Sequence, residues 1–482
     1  MFYSFLTALM LSAAVDLIPE PAPQEAKLGV PVPESFELAS GLRVWVVRSG
    51  DVPMVTLSLV FRSGAAADPA GKEGLTYLTA TMLDEGAGER GALDLAEEID
   101  FLGASLAIDA EKEYTSVTVD VLRRNFDPVL DILADIVLRP RFEAKEWERV
   151  KALALNDLVQ RREDPRRVGA LVAERAFYGD GHPFSHPIDG YEESVRKIDL
   201  EMVKERYRKL VEPRNAVLIA VGDVSRADLE PRLEKRFGGW KGESSGGERG
   251  SIPPASGKPR LVLVDKPEAP QTVVRILIPA PPFGAPTLAP LVLANTVLGG
   301  TFTSRLVANL REEKGFTYGA SSLVASRRAA AHVAATSSVQ AEKTGPALVE
   351  FCREVRAMQT GELAADELRK ARLTHWSRVV EALETQDSTL ELYRVSGAFG
   401  LSPGERREFH ERVQSATPEE IAAAARQVFR WDAATIVLVG DRRLIESQLA
   451  DLRRDPPADR AGKPCTLPEV EPRGREGEAL TP

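Results

Sequence analysis

Hydrophobic residues follow two different periods along this chain. At 42–61 (LRVWVVRSGDVPMVTLSLVF) and 259–278 (PRLVLVDKPEAPQTVVRILI) they alternate with polar residues or form short apolar runs, which is typical of strands. At 126–138 and 143–162 they recur every three or four residues, which is typical of amphipathic helices. Strands that flank a helical middle, without regular alternation of the two, predict an α+β layer with a largely antiparallel sheet.

The same pattern occurs twice. AVLIAVGD at 216–223 returns as ATIVLVGD at 434–441, 218 positions later, and each copy follows a helical stretch, at 201–210 and 419–429. The two strand–turn–strand segments at 42–61 and 259–278 are 217 positions apart, and each predicts a hairpin-like pair of strands. Two landmarks in nearly common register indicate a duplication. The chain is therefore expected to form two homologous α+β domains, each a largely antiparallel sheet packed against helices, facing each other as a clamshell.

Composition places the boundaries of these domains. Residues 241–259 are rich in Gly, Ser and Pro and predict a linker between domains at 27–240 and 260–455. Residues 456–482 have a similar composition and predict a disordered tail.

The N-terminus predicts export. Residues 2–15 form an apolar run with small residues at 12–14, so 1–26 is interpreted as a signal peptide with a short spacer. The first basic residue is Lys27, and this lack of a positive leader leaves an ordinary N-terminal helix or a misassigned start as alternatives. Periplasmic or otherwise exported localisation is the expectation, with a cytoplasmic location as the alternative.

Charge and cysteine content narrow the classes of partner. Lys and Arg number 62 against 72 Asp and Glu, a net charge of −10, which disfavours nucleic acid. No apolar stretch reaches the roughly 18 residues of a membrane-spanning helix. Cys352 and Cys465 are too few for a zinc ribbon or a disulfide framework. A structural disulfide is not expected between them. One bridge that joins the two cysteines is the alternative.

The segment AGKEGLTYLTATMLDEGAG at 70–88 carries the first chemical signal. Its apolar residues lie on one stripe of a helix, and it resembles the helix that carries the HxxEH zinc motif in the insulinase/pitrilysin family, which includes the mitochondrial processing peptidase. The resemblance extends over roughly residues 30–455. It places Tyr77 and Thr81 at the positions of the two histidines, Ala80 at the position of the glutamate base, and Asp157 or Asn156 at the third ligand. These residues imply that the chain binds no zinc.

A pair of histidines and a strand are two further features of the first half. His182 and His186 in GHPFSHP have the spacing of a ligand pair, but the turn-rich segment resembles a loop of the family, and a packing role is favoured. The strand after Gly103 resembles the edge strand on which the family pairs its substrate. Ala107 stands where the family often has Asn, which implies that a substrate-facing polar group is lost.

The second half keeps a stronger motif. LGGTFTSRLVANLREEKGFTYGASS at 298–322 predicts a helix that starts at Thr301 or Thr303, ends before Gly315 and leads into a strand with Tyr318. It resembles the family segment SSRL…LREKxGLxY. The resemblance implies that Arg311 holds a substrate carbonyl and that Tyr318 donates a hydrogen bond to the oxyanion. The alternatives are an arginine that complements the helix dipole and a tyrosine in the core.

A chain that has lost the zinc site but retains the Arg/Tyr pair implies an enzyme whose active site is shared between two subunits. The resemblance predicts a non-catalytic subunit of a heterodimeric zinc metalloendopeptidase, which donates Arg311 and Tyr318 to a partner that carries HxxEH and the zinc. Short unfolded peptides are the expected substrates. The alternatives are a structural subunit, like the core subunits of the respiratory cytochrome bc complex, and a module that binds extended peptides without cleavage.

Overall fold

Two six-stranded mixed sheets form the framework of the computed structural model, which describes residues 29–50, 52–242 and 259–480. The predicted leader 1–26 and most of the predicted linker 241–259 lie outside the described residues. The strands of the first sheet are β1 (Glu34–Glu37), β2 (Arg43–Arg48), β3 (Met54–Phe61), β4 (Ser105–Ala110), β5 (Thr115–Leu122) and β6 (Ala216–Gly222). Those of the second are β7 (Arg260–Asp265), β8 (Gln271–Pro279), β9 (Thr317–Ala325), β10 (His332–Gln340), β11 (Thr435–Gly440) and β12 (Val470–Arg473).

The first sheet has the order β1-β2-β6-β3-β5-β4. Strand β6 (AVLIAVG) is buried along its whole length and lies parallel to β2 and antiparallel to β3. The predicted hairpin-like pairing of β2 with β3 is therefore wrong. The reason is that an entirely apolar strand is most stable at the centre of a sheet, and β6 takes the ladder positions between its two neighbours.

The second sheet repeats this order as β12-β7-β11-β8-β10-β9. Strand β11 separates β7 from β8 just as β6 separates β2 from β3, so the hairpin prediction is wrong here too. Most strand pairs in both sheets are antiparallel, and the expected α+β fold with two related domains is confirmed.

The C-terminal segment is ordered over its described residues. β12 pairs in parallel with β7 and takes the place that β1 has in the first sheet. Arg260 on β7 forms an ion pair with Glu471 on β12, with Nε 3.0 Å from Oε1. The prediction of a disordered tail at 456–482 is thus wrong for 456–480, because its short strand completes the edge of the sheet.

A disulfide attaches the same segment to the second domain. Cys352 and Cys465 are bonded, with their Cα atoms 6.1 Å apart, and both are buried. The expectation of no structural disulfide is wrong. The two residues are 113 positions apart in the sequence, but both lie in the core of the second domain. Their separation along the chain therefore did not indicate their distance in the fold.

Helices cover one face of each sheet with its own half of the chain. Leu, Val, Ile and Phe side chains from that face and from the helices form two large cores. The helices of the first half are α1 (Leu75–Thr81), α2 (Ala92–Phe101), α3 (Phe126–Leu138), α4 (Ala144–Glu163), α5 (Pro165–Tyr178), α6 (Glu192–Lys197), α7 (Leu200–Leu210) and α8 (Arg226–Phe237). Those of the second are α9 (Leu288–Gly299), α10 (Arg305–Val307), α11 (Thr344–Thr360), α12 (Ala365–Ala382), α13 (Gln386–Phe399), α14 (Glu405–Ser415), α15 (Pro418–Val428) and α16 (Arg442–Arg454).

The two halves exchange one helix each. α5 packs on β8 and β11 of the second sheet, where Val172 and Phe177 join a core with Val273 and Val439. In return, α13 packs on β3 and β6 of the first sheet. The second face of each sheet is thus partly covered by the other half, and apolar contacts hold the halves together. Among the described residues, no helix has both the length and the apolar character that a bilayer span requires.

Candidate functional site

The start of helix α1 is held in place by its surroundings. Gly74 has φ = +96°, and a Cβ added there would lie 2.8 Å from the carbonyl oxygen of Asp189, so a glycine is required. The carboxylate of Asp68 accepts hydrogen bonds from the backbone N–H groups of Gly74 and Thr76, at 3.0 Å each. These donors would otherwise be unsatisfied at the helix start. The helix that resembles the zinc-motif helix is therefore retained as a rigid element.

The side chains on this helix have little affinity for zinc. Ala80 is buried and offers no donor atom, and the Thr81 hydroxyl donates to the Tyr77 carbonyl at 3.0 Å within the same helix. Burial raises the pKa of Tyr77, and the carboxylates of Asp189 and Asp157 raise it further. The phenol therefore stays protonated at neutral pH, whereas zinc selects thiolate, imidazole and carboxylate ligands.

Arg167 pairs with Asp157, the residue that the resemblance aligns with the third zinc ligand. Asp157 on α4 receives two hydrogen bonds from Arg167 on α5, at 2.6 and 3.1 Å, and these hold the pKa of that carboxyl below its usual value. Arg167 also lies 3.7 Å from Asp189. Asn156, the other candidate at this position, is exposed. A guanidinium thus already neutralises the carboxylate that the family resemblance aligns with a zinc ligand.

Zinc does not fit the group formed by Tyr77, Ala80, Thr81 and Asp157, which we call the HxxEH-equivalent site. Within the described ranges, no cluster of three or more His, Cys, Asp or Glu side chains could hold a metal ion. The decisive observation is chemical, because the one carboxylate is paired with Arg167 and the other side chains are a phenol, a hydroxyl and a methyl group. No reaction step through zinc is derived for this chain.

Metal analysis tests this interpretation. The purified chain, dialysed against trace zinc, is expected to hold far less than one zinc per molecule by elemental analysis. A stoichiometric zinc that a chelator removes would contradict the account. Alanine variants of His182 and His186 would then show whether the loop at 181–187 is the source.

The two loop histidines have packing roles. His182 is buried and stacks on Tyr178 with ring centroids 4.7 Å apart, and its Nδ1 accepts a hydrogen bond from the Phe184 N–H at 3.0 Å. His186 is also buried, and burial lowers its pKa. Both histidines are thus buried packing residues of a loop, as the sequence favoured.

The segment with the Arg/Tyr pair folds as its residues predict. α10 begins after Ser304 and continues as a π-helical turn, Ala308–Glu313. Gly315 has φ = +64°, and the N–H of Phe316 donates to the Leu310 carbonyl at 2.9 Å, which ends the helix in the expected manner. The chain then enters β9, the edge strand of the second sheet.

Arg311 and Tyr318 lie on the surface of this segment. The guanidinium of Arg311 is 4.3 Å from the ring centroid of Phe302, and its Nε is 3.2 Å from Glu312. Tyr318 is 92% exposed, so the alternative of a core tyrosine is wrong. Tyr318 also lines a cavity of about 510 Å³, together with Arg166 and residues of strands β8, β9 and β10.

Several of these residues could not be foreseen. Phe302 has no signal of its own in the sequence, and Arg167 and Arg275, which lines the cavity beside Tyr318, belong to no motif. Arg167 was detectable in principle, since it lies ten positions after Asp157. The turn at Asp164 that brings it back onto Asp157 could not be read from spacing. Ala107 is exposed on β4, the edge strand of the first sheet, as expected for the strand that the resemblance assigns to substrate.

Comparison with known families agrees with this arrangement. Residues 43–180 match the insulinase (peptidase family M16) domain, and residues 197–374 match the peptidase M16 inactive domain. The chain belongs to peptidase family M16. Its second half is of the inactive-domain type, and the first matched region contains the HxxEH-equivalent site.

Curated relatives extend over most of the chain. It is 26% identical over 424 residues to an uncharacterized zinc protease of Mycobacterium bovis, which covers 86% of this chain and 96% of the relative. It is 27% identical over 275 residues to a non-peptidase homolog of Helicobacter pylori, with 55% of this chain and 61% of that protein covered. Proteins of both descriptions are thus similar to this chain.

Solved structures share the fold. A peptidase M16 inactive domain from Pseudomonas fluorescens matches with a TM-score of 0.78 at 24% identity, over 85% of this chain and 98% of that one. A Helicobacter pylori protease matches with a TM-score of 0.77 at 16% identity, over 85% and 100%. These similarities support the two-domain M16 architecture.

Proposed function

We propose that this chain is the non-catalytic subunit of a heterodimeric zinc metalloendopeptidase and that it donates Arg311 and Tyr318 to the active site of a partner carrying HxxEH. One observation carries the proposal: the chain combines an exposed Tyr318 phenol with an HxxEH-equivalent site in which Arg167 pairs the only carboxylate. The second half presents an arginine and a phenol that can stabilise an oxyanion, and the HxxEH-equivalent site offers no free carboxylate to activate water. Such a chain contributes to catalysis only beside a zinc-bearing partner.

The chemistry of the two donated residues suits this role. Arg311 is pre-oriented by its contact with the Phe302 ring, which favours a guanidinium over the ring face and limits its conformations. A phenol that is open to solvent in the isolated chain can be enclosed on assembly, where a hydrogen bond to developing negative charge is strengthened by exclusion of water. Zinc is the partner's cofactor in this proposal, and no cofactor is assigned to this chain.

The substrates proposed are short unfolded peptides. The edge strands β4 and β9 each present one free side to the solvent, and an extended peptide can pair with such an edge through its backbone. Since β9 carries Tyr318, a peptide on this edge would pass close to the donated phenol. A folded protein has no free extended backbone for this contact.

The disulfide supports export. Cys352–Cys465 is buried and joins α11 to the C-terminal segment, and structural disulfides are characteristic of oxidising compartments. We therefore propose a periplasmic or other extracytoplasmic location for the assembled enzyme, in agreement with the predicted leader.

Isolation of the chain from its native host tests the assembly. The chain is expected to co-purify with an M16 relative that contains HxxEH, identified by mass spectrometry, and the pair should persist on size-exclusion chromatography. Recovery of the chain only as a monomer or as a homodimer would contradict the heterodimer. Recovery bound to peptides without an HxxEH partner would favour the peptide-binding alternative.

A further inference from the structure

The cavity beside Tyr318 has an unusual arginine in its wall. Side chains along β8 alternate, so that Val274, Ile276 and Ile278 enter the core of the second domain. Val273 and Leu277 point to the opposite face, where α5 packs. Arg275 lies between these two on the α5 face and lines the cavity. A guanidinium among valine and leucine on a sheet face requires an explanation, since an apolar residue at this position would pack at no electrostatic cost.

Arg275 has no anionic partner at contact distance. Its Nε is buried and makes no hydrogen bond in the described structure, and burial lowers its pKa. Within the described ranges, neither Arg275 nor Arg166 has a carboxylate within the 4.0 Å of an ion pair. A buried donor without an acceptor destabilises a protein, and such a group calls for an explanation, of which a bound ion or ligand that supplies the acceptor is one.

The other cations nearby are paired. Lys112 and Arg327 both contact Glu174, at 3.2 and 3.4 Å. Arg161 pairs with Asp189 at 2.5 Å. The two unpaired arginines of the cavity therefore do not reflect a general shortage of carboxylates in this chain, whose overall net charge is −10.

A second cavity shares Arg275 with the first and is also lined by Arg167, the partner of Asp157. It has a volume of about 330 Å³ and is lined by Arg275 together with charged residues of both halves. Among the described residues that line the two cavities, six cations face two carboxylates, Glu174 and Asp189; the cations are Lys112, Arg161, Arg166, Arg167, Arg275 and Arg327. An excess of one sign in a concave, partly desolvated space attracts ligands of the opposite sign.

We propose that Arg275 and Arg166 form a carboxylate-binding subsite that holds an acidic side chain or the C-terminal carboxylate of the bound peptide. This inference deepens the proposed function and rests on it. A guanidinium donates two parallel hydrogen bonds to a carboxylate, and the hydroxyls of Ser321 and Ser338, which line the same cavity, can donate to its remaining lone pairs. Because Tyr318 lines the cavity too, the recognised carboxylate lies near the position of the donated phenol.

Peptide binding to the full chain alone tests the subsite without zinc or partner. The probe is a fluorescently labelled unstructured peptide in four versions, with an internal Glu or Gln and with a free or amidated C-terminus. Removal of the recognised carboxylate is expected to weaken binding about ten- to hundred-fold, the usual effect of a hydrogen bond to a charged group. The internal Gln version and the amidated version show which carboxylate is recognised.

Protein variants complete the test. Arg275→Gln and Arg166→Gln should each weaken binding of the carboxylate-bearing peptide and leave the peptide that lacks this group unchanged. Arg430→Gln is the matched control, since Arg430 is exposed and pairs with Asp432 at a distance of 2.9 Å. If Arg275→Gln does not fold, Arg166→Gln, at an exposed position, carries the test.

Equal binding of all four peptides, or equal loss with both versions of the peptide in the arginine variants, would overturn the subsite. Absence of any peptide binding would overturn it too. None of these outcomes decides whether Arg311 and Tyr318 are donated, because that proposal is measured as cleavage by the assembled pair, so the two proposals can fail separately.

Discussion

The Tyr318→Phe variant is expected to lower the turnover of the assembled enzyme about 10²–10³-fold. Loss of one donor to a developing oxyanion has an effect of that order, and the substitution removes only the hydroxyl of a side chain that is 92% exposed. The measurement is kcat for a short unstructured peptide, with the variant and the wild-type chain each mixed with the same HxxEH-bearing partner. KM should change much less, because the oxyanion exists only in the transition state.

Two companion variants define the result. Arg311→Ala should raise KM as well as lower kcat, since its proposed contact with a substrate carbonyl already exists in the ground state. Leu444→Ala, at an exposed position of α16 outside the proposed peptide-binding strands, is the control and should keep wild-type kinetics. Loss of assembly in Tyr318→Phe would show that the residue is structural. Full activity in both Tyr318→Phe and Arg311→Ala would leave the chain as a scaffold.

Removal of the disulfide is expected to lower the free energy of unfolding by about 4–5 kcal/mol, the chain-entropy value for a loop of this length. The bond closes a loop of 113 residues and ties the segment that carries β12 to α11. The measurement is urea denaturation of the oxidised chain with and without reductant. The reduced chain should also lose its C-terminal segment first in limited proteolysis.

The control for this prediction is the Cys352→Ala/Cys465→Ala double variant. Its denaturation midpoint should lie at a lower urea concentration than that of the oxidised wild-type chain, and reductant should not change this midpoint. A wild-type chain whose denaturation midpoint is insensitive to a reductant that fully reduces both cysteines would contradict the assigned contribution of the bond.

The sequence predicted local elements better than their pairing. The apolar period at 126–138 corresponds to α3 (Phe126–Leu138), and the repeated VGD segments became the central strands β6 and β11. The two predicted hairpins are wrong because β2 and β3, like β7 and β8, are neighbours along the chain but not in the sheet. A strand that is buried on both faces, such as β6, competes for the central place from more than 150 residues away. The tail strand and the disulfide depend on the same kind of long-range contact.

In the candidate site, too, the residues of one local segment could be placed from the sequence, whereas those that depend on long-range packing could not. Arg311, Gly315 and Tyr318 lie in one contiguous segment, so their placement followed from helix-ending and strand rules. Arg167 and Arg275 acquire their surroundings from the exchanged helix α5, which packs against the opposite half. No period or motif in the sequence signals that exchange, and the charge of the cavities could therefore not be anticipated.

Mixing the two purified subunits tests the central claim most directly. This chain and an HxxEH-bearing M16 partner are each assayed alone and together on a short unstructured peptide, at equal total protein and with zinc present. The account predicts little cleavage by either subunit alone, and activity that rises on mixing and saturates at a fixed ratio of the two chains. Efficient cleavage by this chain alone, or by the partner with no increase when this chain is added, would contradict the account.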